Sequence, residues 1–457
     1  MSGTSWDNAV NISGAITGGT SNVNIQSTGA TITTSAAISG ANISVDNTNG
    51  TIDSGTGAIT AGVKTSGSAI GVSIGGNVTA TGNLNLYASS AGNIGLTFAS
   101  SKAISAANIQ ATGKTTNGHY GVVLNGSNAI TTTGTSGDSL IKGITTTGGT
   151  NALLAWGGLN LTAATGTNLT LWGDGTSTSD RAARFDGGVT TNGAVTLKGT
   201  SNNATALMLI NGVATANANS ALTLSGTSSG SGQSAVYFVN SGGVSLKNGA
   251  TLNVTGQNTN TSGTGTGVLI QGAGIAKASG ATSAGAVSIT GSTSSTAAGS
   301  TGVAVQAGVS TDGNIDIQGN VVSAASTGVS ITSSGGVISS GSTATINVGS
   351  NYGIKNDGYI KVTGSTGTGS NINLTSSNNG ISGAGVIGDT TNKNASVTFT
   401  QSGTSTYSGA INAKNFTKAG TGALTLDSWA LVAPATPVAT NIANAYTVKD
   451  GGTLTLL

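Results

Sequence analysis

Cysteine and glutamate are absent from the 457-residue chain, and proline occurs only at positions 434 and 437. Without thiols, a disulfide scaffold, cysteine-ligated metal and thiol chemistry are all excluded. Every acid is Asp, and charged residues make up 6% of the chain against a usual ~25%. With Glu missing and Lys, Arg, Gln and Met scarce, the good helix formers after Ala and Leu are depleted, which excludes a helical protein. Disorder normally needs low hydrophobicity with high net charge; here mean hydropathy is +0.13 and the net charge is +2. The fifteen basic residues form no run along the chain, so neither nucleic acid nor another polyanion is an expected partner. No apolar stretch approaches the ~18 residues of a membrane helix, so no membrane span is expected. The opening, Met1 to Asp7, has neither a basic region nor an apolar core, and does not read as a secretory signal.

What is abundant is Gly, 76 residues against a usual ~7%, together with Ser, Thr and Asn. Within this background, triplets of apolar–any–apolar recur: Val23-Asn24-Ile25, Ile43-Ser44-Val45, Leu84-Asn85-Leu86, Leu159-Asn160-Leu161, Leu169-Thr170-Leu171 and Leu222-Thr223-Leu224. Such alternation marks a half-buried strand. One strand type recurs at Val268, Val303 and Val329, spaced by 35 and 26 residues. A second interleaves at Val287, Ile315, Ile346 and Ile372, spaced by 28, 31 and 26. At least two short strands per 25–35 residues fit one coil of a solenoid. The expected fold is all-β, a right-handed parallel β-helix (β-solenoid) of about 15–18 coils; several β-sandwiches are the alternative. Gly would serve the corners, stacked Asn the turns, and the lack of proline before residue 434 keeps the ladders whole.

The C-terminal part carries a further pattern. Phe416-Thr-Lys418-Ala-Gly420-Thr-Gly422-Ala-Leu424-Thr-Leu426 is followed by Tyr446-Thr-Val448 and Gly452-Thr-Leu454-Thr-Leu456. This resembles the autotransporter-associated β-strand repeat of bacterial passenger domains, although the stretch 427–445, with both prolines, is longer than the turn usual in that family. The rest of the chain resembles, more loosely, the β-strand repeats of filamentous-haemagglutinin-like adhesins. The expected organisation is therefore a solenoid over 1–406, continued by the repeat over 407–457. The resemblance implies a Gram-negative cell-surface or secreted protein exported through an outer-membrane β-barrel by a type V route. The chain is expected to be a segment of a longer protein or a processed form.

Residues capable of chemistry are few. The stretch Asp180-Arg181-Ala-Ala-Arg184-Phe185-Asp186 holds both arginines, with Asp174 just before it. Arg with paired Asp resembles the equipment of β-helical pectate lyases; a surface loop stitched by local ion pairs is the competing reading. His119, the only histidine, sits in Gly118-His119-Tyr120, similar to the Gly-His-Gly element of polygalacturonases but without their adjacent aspartates. Gly226-Thr-Ser228-Ser-Gly230 and Gly113-Lys114-Thr115 echo a hydrolase elbow and a phosphate loop without the helix each requires. Asp312-Gly-Asn-Ile-Asp316 echoes a calcium turn that does not repeat. No catalytic, cofactor-binding or metal residue is assigned. Trp156, Trp172, Tyr352 and Tyr359 are candidate platforms for stacking sugars, each equally suited to a core or capping role.

The leading functional expectation is a non-enzymatic extracellular stalk or adhesin that holds glycans or a host or neighbouring cell surface. A self-assembling filament, sheath or surface-layer subunit, pairing end to end, is one alternative. A polysaccharide lyase or hydrolase is another. An ice-binding solenoid is disfavoured, because segments such as Thr31-Ile-Thr33 do not recur at one coil length.

Overall fold

The computed structural model describes residues 72–456, apart from 75–76, 81, 91, 117–118, 177–180, 284, 365–368, 392–393 and 428–440, and before residue 72 describes residues 14–15 and a few short strands between 10 and 46. No helix occurs among the described residues. The strands join into parallel stacked sheets that form a β-solenoid of about 12 turns, as in autotransporter passengers. The fold class expected from sequence stands. The turns are fewer than the 15–18 expected, because single coils reach 35 residues, as from Val268 to Val303, where others take only 24, as from Ala183 to Leu207. By clustering, the chain divides into two units, Met1–Ser228 and Ser229–Leu457. Both prolines, Asp180 and most of the 427–445 segment lie outside the described residues.

Each coil has three strands, one in each of sheets A, B and C. In the first unit one coil comprises Asn151–Trp156 in A, Leu159–Thr162 in B and Asn168–Gly175 in C. The second unit repeats this with Thr301–Val305, Gly308–Thr311 and Ile315–Val321. The two strand types read from sequence are sheets A and C: Val268, Val303 and Val329 stack in register, as do Val287, Ile315, Ile346 and Ile372. Sheet C keeps the alternation, buried inside and polar outside. Its inward columns, such as Leu169–Val195–Leu222 and Leu171–Leu197–Leu224, are almost wholly removed from water. Each such side chain contributes roughly 1.5–3 kcal/mol. Sheet A is buried on both faces instead; five consecutive residues of Asn151–Trp156 are covered.

Beyond the apolar pair, the sheet C strand carries a glycine two residues further on. Gly113, Gly143, Gly173, Gly199 and Gly226 stack in register in the first unit, and Gly256, Gly291 and Gly319 in the second. There the backbone entering sheet A passes so close that a Cβ has no room. A Cβ on Gly173 would lie 2.1 Å from the carbonyl oxygen of Ala182, and one on Gly199 1.9 Å from that of Ala206. The facing sheet A positions are themselves small, including Gly121, Ala152, Ala182 and Ala206. Two residues further along sheet C, buried hydroxyls close the turn: Ser201 Oγ accepts from the Ala204 amide at 3.0 Å, and Ser228 Oγ donates to the Ala204 carbonyl at 2.7 Å.

The corner from A to B has a fixed conformation. Gly126 (φ 61°), Gly157 (φ 84°) and Asn211 (φ 56°) occupy it in the first unit, Asn240 (φ 56°) and Gly272 (φ 75°) in the second. Gly and Asn are the residues that tolerate the left-handed region. The expected asparagine stacking is also present: Asn217 Nδ2 donates to Asn192 Oδ1 at 2.7 Å, one coil away.

In the segment with the repeat pattern, the two halves stack one coil apart, with Phe416 opposite Tyr446 and Leu424 opposite Leu454. The patterned lysine is buried: Lys418 Nζ donates to the carbonyls of Ala419 (2.6 Å) and Gly420 (2.8 Å). Burial pushes its pKa down, opposed by the negative charge of Asp450. Tyr407, also buried, donates to Gly385 O and accepts from Asn356 Nδ2, both at 2.8 Å, and meets Phe399 edge-on. Burial raises its pKa above the ordinary tyrosine value, a donated hydrogen bond from Asn356 works the other way, and Asp357 adds to the rise.

Two outcomes follow. Gly199→Ala forces a Cβ into backbone and should cost about 2–4 kcal/mol, whereas Gly308→Ala, with nothing within 4 Å, should stay within about 0.5 kcal/mol; paired thermal melts check the contrast. Tyr407→Phe should cost about 1–3 kcal/mol at neutral pH, since it strands the Gly385 carbonyl. Because the folded pKa is raised, Tyr407 supports the fold below the unfolded value of about 10 and loses that contribution as pH climbs above it. The Tm gap between wild type and variant should therefore narrow in melts above pH ~10.

Candidate functional site

Sheet C presents its polar side outward, and each unit modulates that side differently. In the second unit three successive coils set out a grid: Asp316, Gln318 and Asn320; then Asn347, Gly349 and Asn351; then Asn373, Thr375 and Ser377. The centre of the grid is a glycine. A Cβ on Gly349 would meet only the end of the Gln318 side chain, so the missing side chain opens a trench of about 390 Å³ floored by backbone. Its walls are hydrogen-bonded to one another: Asn373 Nδ2 donates to Asn347 Oδ1 at 3.0 Å, and Gln318 Nε2 to Asp316 Oδ1 at 2.8 Å. Asn351 exchanges bonds with the Val321 backbone, its Oδ1 accepting at 2.9 Å and its Nδ2 donating at 2.6 Å. The trench is thus a fixed array of amide and hydroxyl donors and acceptors with one carboxylate.

In the first unit the same sheet face carries charge. Lys142, Trp172 and Lys198 stack in register on consecutive coils. The Lys142 ammonium lies 3.6 Å from the Trp172 ring centroid and the Lys198 ammonium 4.2 Å. Trp172 Nε1 donates to Thr200 Oγ1 at 3.2 Å, and Lys142 pairs with Asp174 at 2.6 Å. Lys114 lies on the same face, in the column that continues through Ile144 to Asp174. Sequence reading missed this gathering because Lys114, Lys142 and Lys198 are separated by 28 and 56 residues. The coil period, applied to lysine instead of to aliphatics, is the signal that would have shown it.

The candidates from sequence are dispersed. Asp174 sits on sheet C with Lys142, while Arg181, Arg184 and Asp186 belong to a sheet A strand. Arg184 pairs with Asp186 Oδ2 at 2.6 Å, and Asp186 Oδ1 accepts from Asn211 Nδ2 at 2.9 Å. Asp174 is thus engaged on one face and Asp186 on another. His119 is exposed, beside Tyr120. Ser228 is buried at a strand end, and Gly113-Lys114-Thr115 lies within a strand. Asp312 pairs with Lys277 at 2.9 Å, while Asp316 faces the trench. Among the described residues, no three His, Cys, Asp or Glu side chains converge as a metal site would need.

The four aromatics sit in four settings. Trp156 is half exposed at the end of a sheet A strand. Trp172 has lysines over its ring. Tyr359 lays its ring across Gly336, whose Cβ would fall 2.0 Å from it. Tyr352 is half-buried in the turn between sheets C and A. No protein-family model matches the chain, and no curated protein or solved structure matches it significantly.

Gly349→Thr should change stability by less than about 1 kcal/mol, because only the flexible Gln318 side chain must yield, and should fill the trench. Its Tm, set beside that of Gly199→Ala, checks that one sheet C glycine is kept for space outside and the other for space inside.

Proposed function

We propose that the chain is a non-enzymatic attachment protein, a stalk or adhesin displayed outside a Gram-negative cell and exported through an outer-membrane β-barrel. The observation that carries this reading is the outward face of sheet C in the second unit: nine positions on three coils, all but Gly349 polar, in a mutually hydrogen-bonded array around an open trench. Sugars present hydroxyls in quantity, and a preorganised row of amides and hydroxyls pairs with them without having to order its own side chains first. Binding along such a face repeats from coil to coil, so weak contacts add through multivalency. The β-solenoid, as in autotransporter passengers, and the Thr417-Lys418-Ala-Gly420-Thr-Gly422 pattern with its buried lysine support the export route.

The test uses the full chain coupled to beads. Neutral polysaccharides and bacterial cells should be retained, retention should fall in Gly349→Thr, and no reducing ends or unsaturated sugars should accumulate on long incubation. Turnover of a uronic-acid polymer that disappears in the Arg181→Ala/Arg184→Ala double variant would replace this reading with the lyase one.

A further inference from the structure

We infer that the outer face of sheet C in the first unit is a binding surface for a carboxylate-bearing polysaccharide, seated over Lys114, Lys142 and Lys198. This site is separate from the neutral trench and goes beyond the attachment reading, naming a charged ligand on a different set of coils.

The chain has fifteen basic residues in all, and three of them occupy this face within four consecutive sheet C strands, from Ile109–Thr115 to Ala194–Ser201. The only acid among them is Asp174, which binds Lys142. Neither Lys114 nor Lys198 has a carboxylate within 4 Å among the described residues, so the patch keeps an excess of positive charge. The next strand outward, Ala221–Ser228, presents Thr223, Ser225 and Thr227, so nothing neutralises it from that side.

Trp172 acts as a positioning residue. Left alone, two long lysine side chains would sample many rotamers, and a ligand would have to order them at a cost of roughly 0.5–1.5 kcal/mol each. Held against the two faces of one indole, from the coils on either side, they stay on a line parallel to the stacking direction. The indole is in turn fixed through Thr200. Successive coils are about 4.8 Å apart, close to the length of one pyranose unit in an extended chain. A uronate polymer running along the stack therefore repeats its carboxylates in step with the lysines. The same step leaves Thr196, Thr200 and Thr223 beside the sugar hydroxyls. Carboxylate is favoured over the phosphates of nucleic acid because the surface follows one strand's linear repeat and offers no arginine for bidentate phosphate contact.

The experiment titrates the full chain with polygalacturonate by calorimetry, with dextran and a short DNA duplex as comparison ligands. Polygalacturonate should bind saturably, weaken as salt is raised, and outcompete the duplex; dextran should not compete. Lys142→Gln/Lys198→Gln should lower affinity roughly tenfold or more, while Lys355→Gln/Lys361→Gln, in the second unit, should bind as wild type. Trp172→Leu should also weaken binding, and Trp172→Phe, which keeps an aromatic face, should recover most of it. Equal Tm values across the set confirm that folding is unchanged. Wild-type affinity in Lys142→Gln/Lys198→Gln, absence of polygalacturonate binding, or tighter binding to the duplex each overturns the inference. None of these results touches the attachment reading, which is tested at Gly349 with neutral ligands.

Discussion

Everything in this molecule hangs on one close approach. Where each sheet C strand ends, the chain turns back so tightly that a carbonyl of the next segment occupies the place of a β-carbon. The glycines from Gly113 to Gly226, and from Gly256 to Gly319, are the only residue type that permits it. The close approach sets where the apolar columns can lie, since the inward side chains before each glycine fill the space it leaves. It also places the buried hydroxyls of Ser201 and Ser228, which satisfy turn backbone that no strand could reach. Where the column ends in the second unit, Ser350 and Ser376 take over the position in register with Gly319, and a glycine appears instead on the outside, at Gly349. The trench is thus a local change in which face goes without a side chain.

The legible part of the fold was whatever has one wet face. Sheet C strands alternate strictly because their outer side meets water, so Leu169-Thr170-Leu171 or Ile346-Asn347-Val348 betray strand and period together. Sheet A is buried on both sides and reads as short apolar runs, Ala152 to Ala155 for example, with no alternation to separate strand from other structure. Sheet B strands are so short that their signal drowns in the Ser and Thr around them. The glycine column escaped notice for a different reason: in a chain with 76 glycines, position matters and frequency does not, and position is visible only once the coils are aligned.

The same limit applied to the candidate sites. Linear proximity favoured residues 174–186, yet the turn after Gly175 sends Asp174 and Arg184 to different faces. Residues that do share a face, such as Lys142 and Lys198, are far apart in sequence. In a stacked fold, neighbourhood is measured in coils, and a motif search along the chain looks in the wrong direction.

Coil length is the feature with the longest reach. Strand columns stay aligned whether a coil takes 24 residues or 35, because the surplus leaves through turns and closing a longer loop is cheap. Reading frames encoding such a chain tolerate unequal recombination: a crossover that joins one coil to a distant one restores glycine to glycine and corner to corner. Gene length can then drift by whole coils, and each new lateral surface arises as a fresh juxtaposition of old strands.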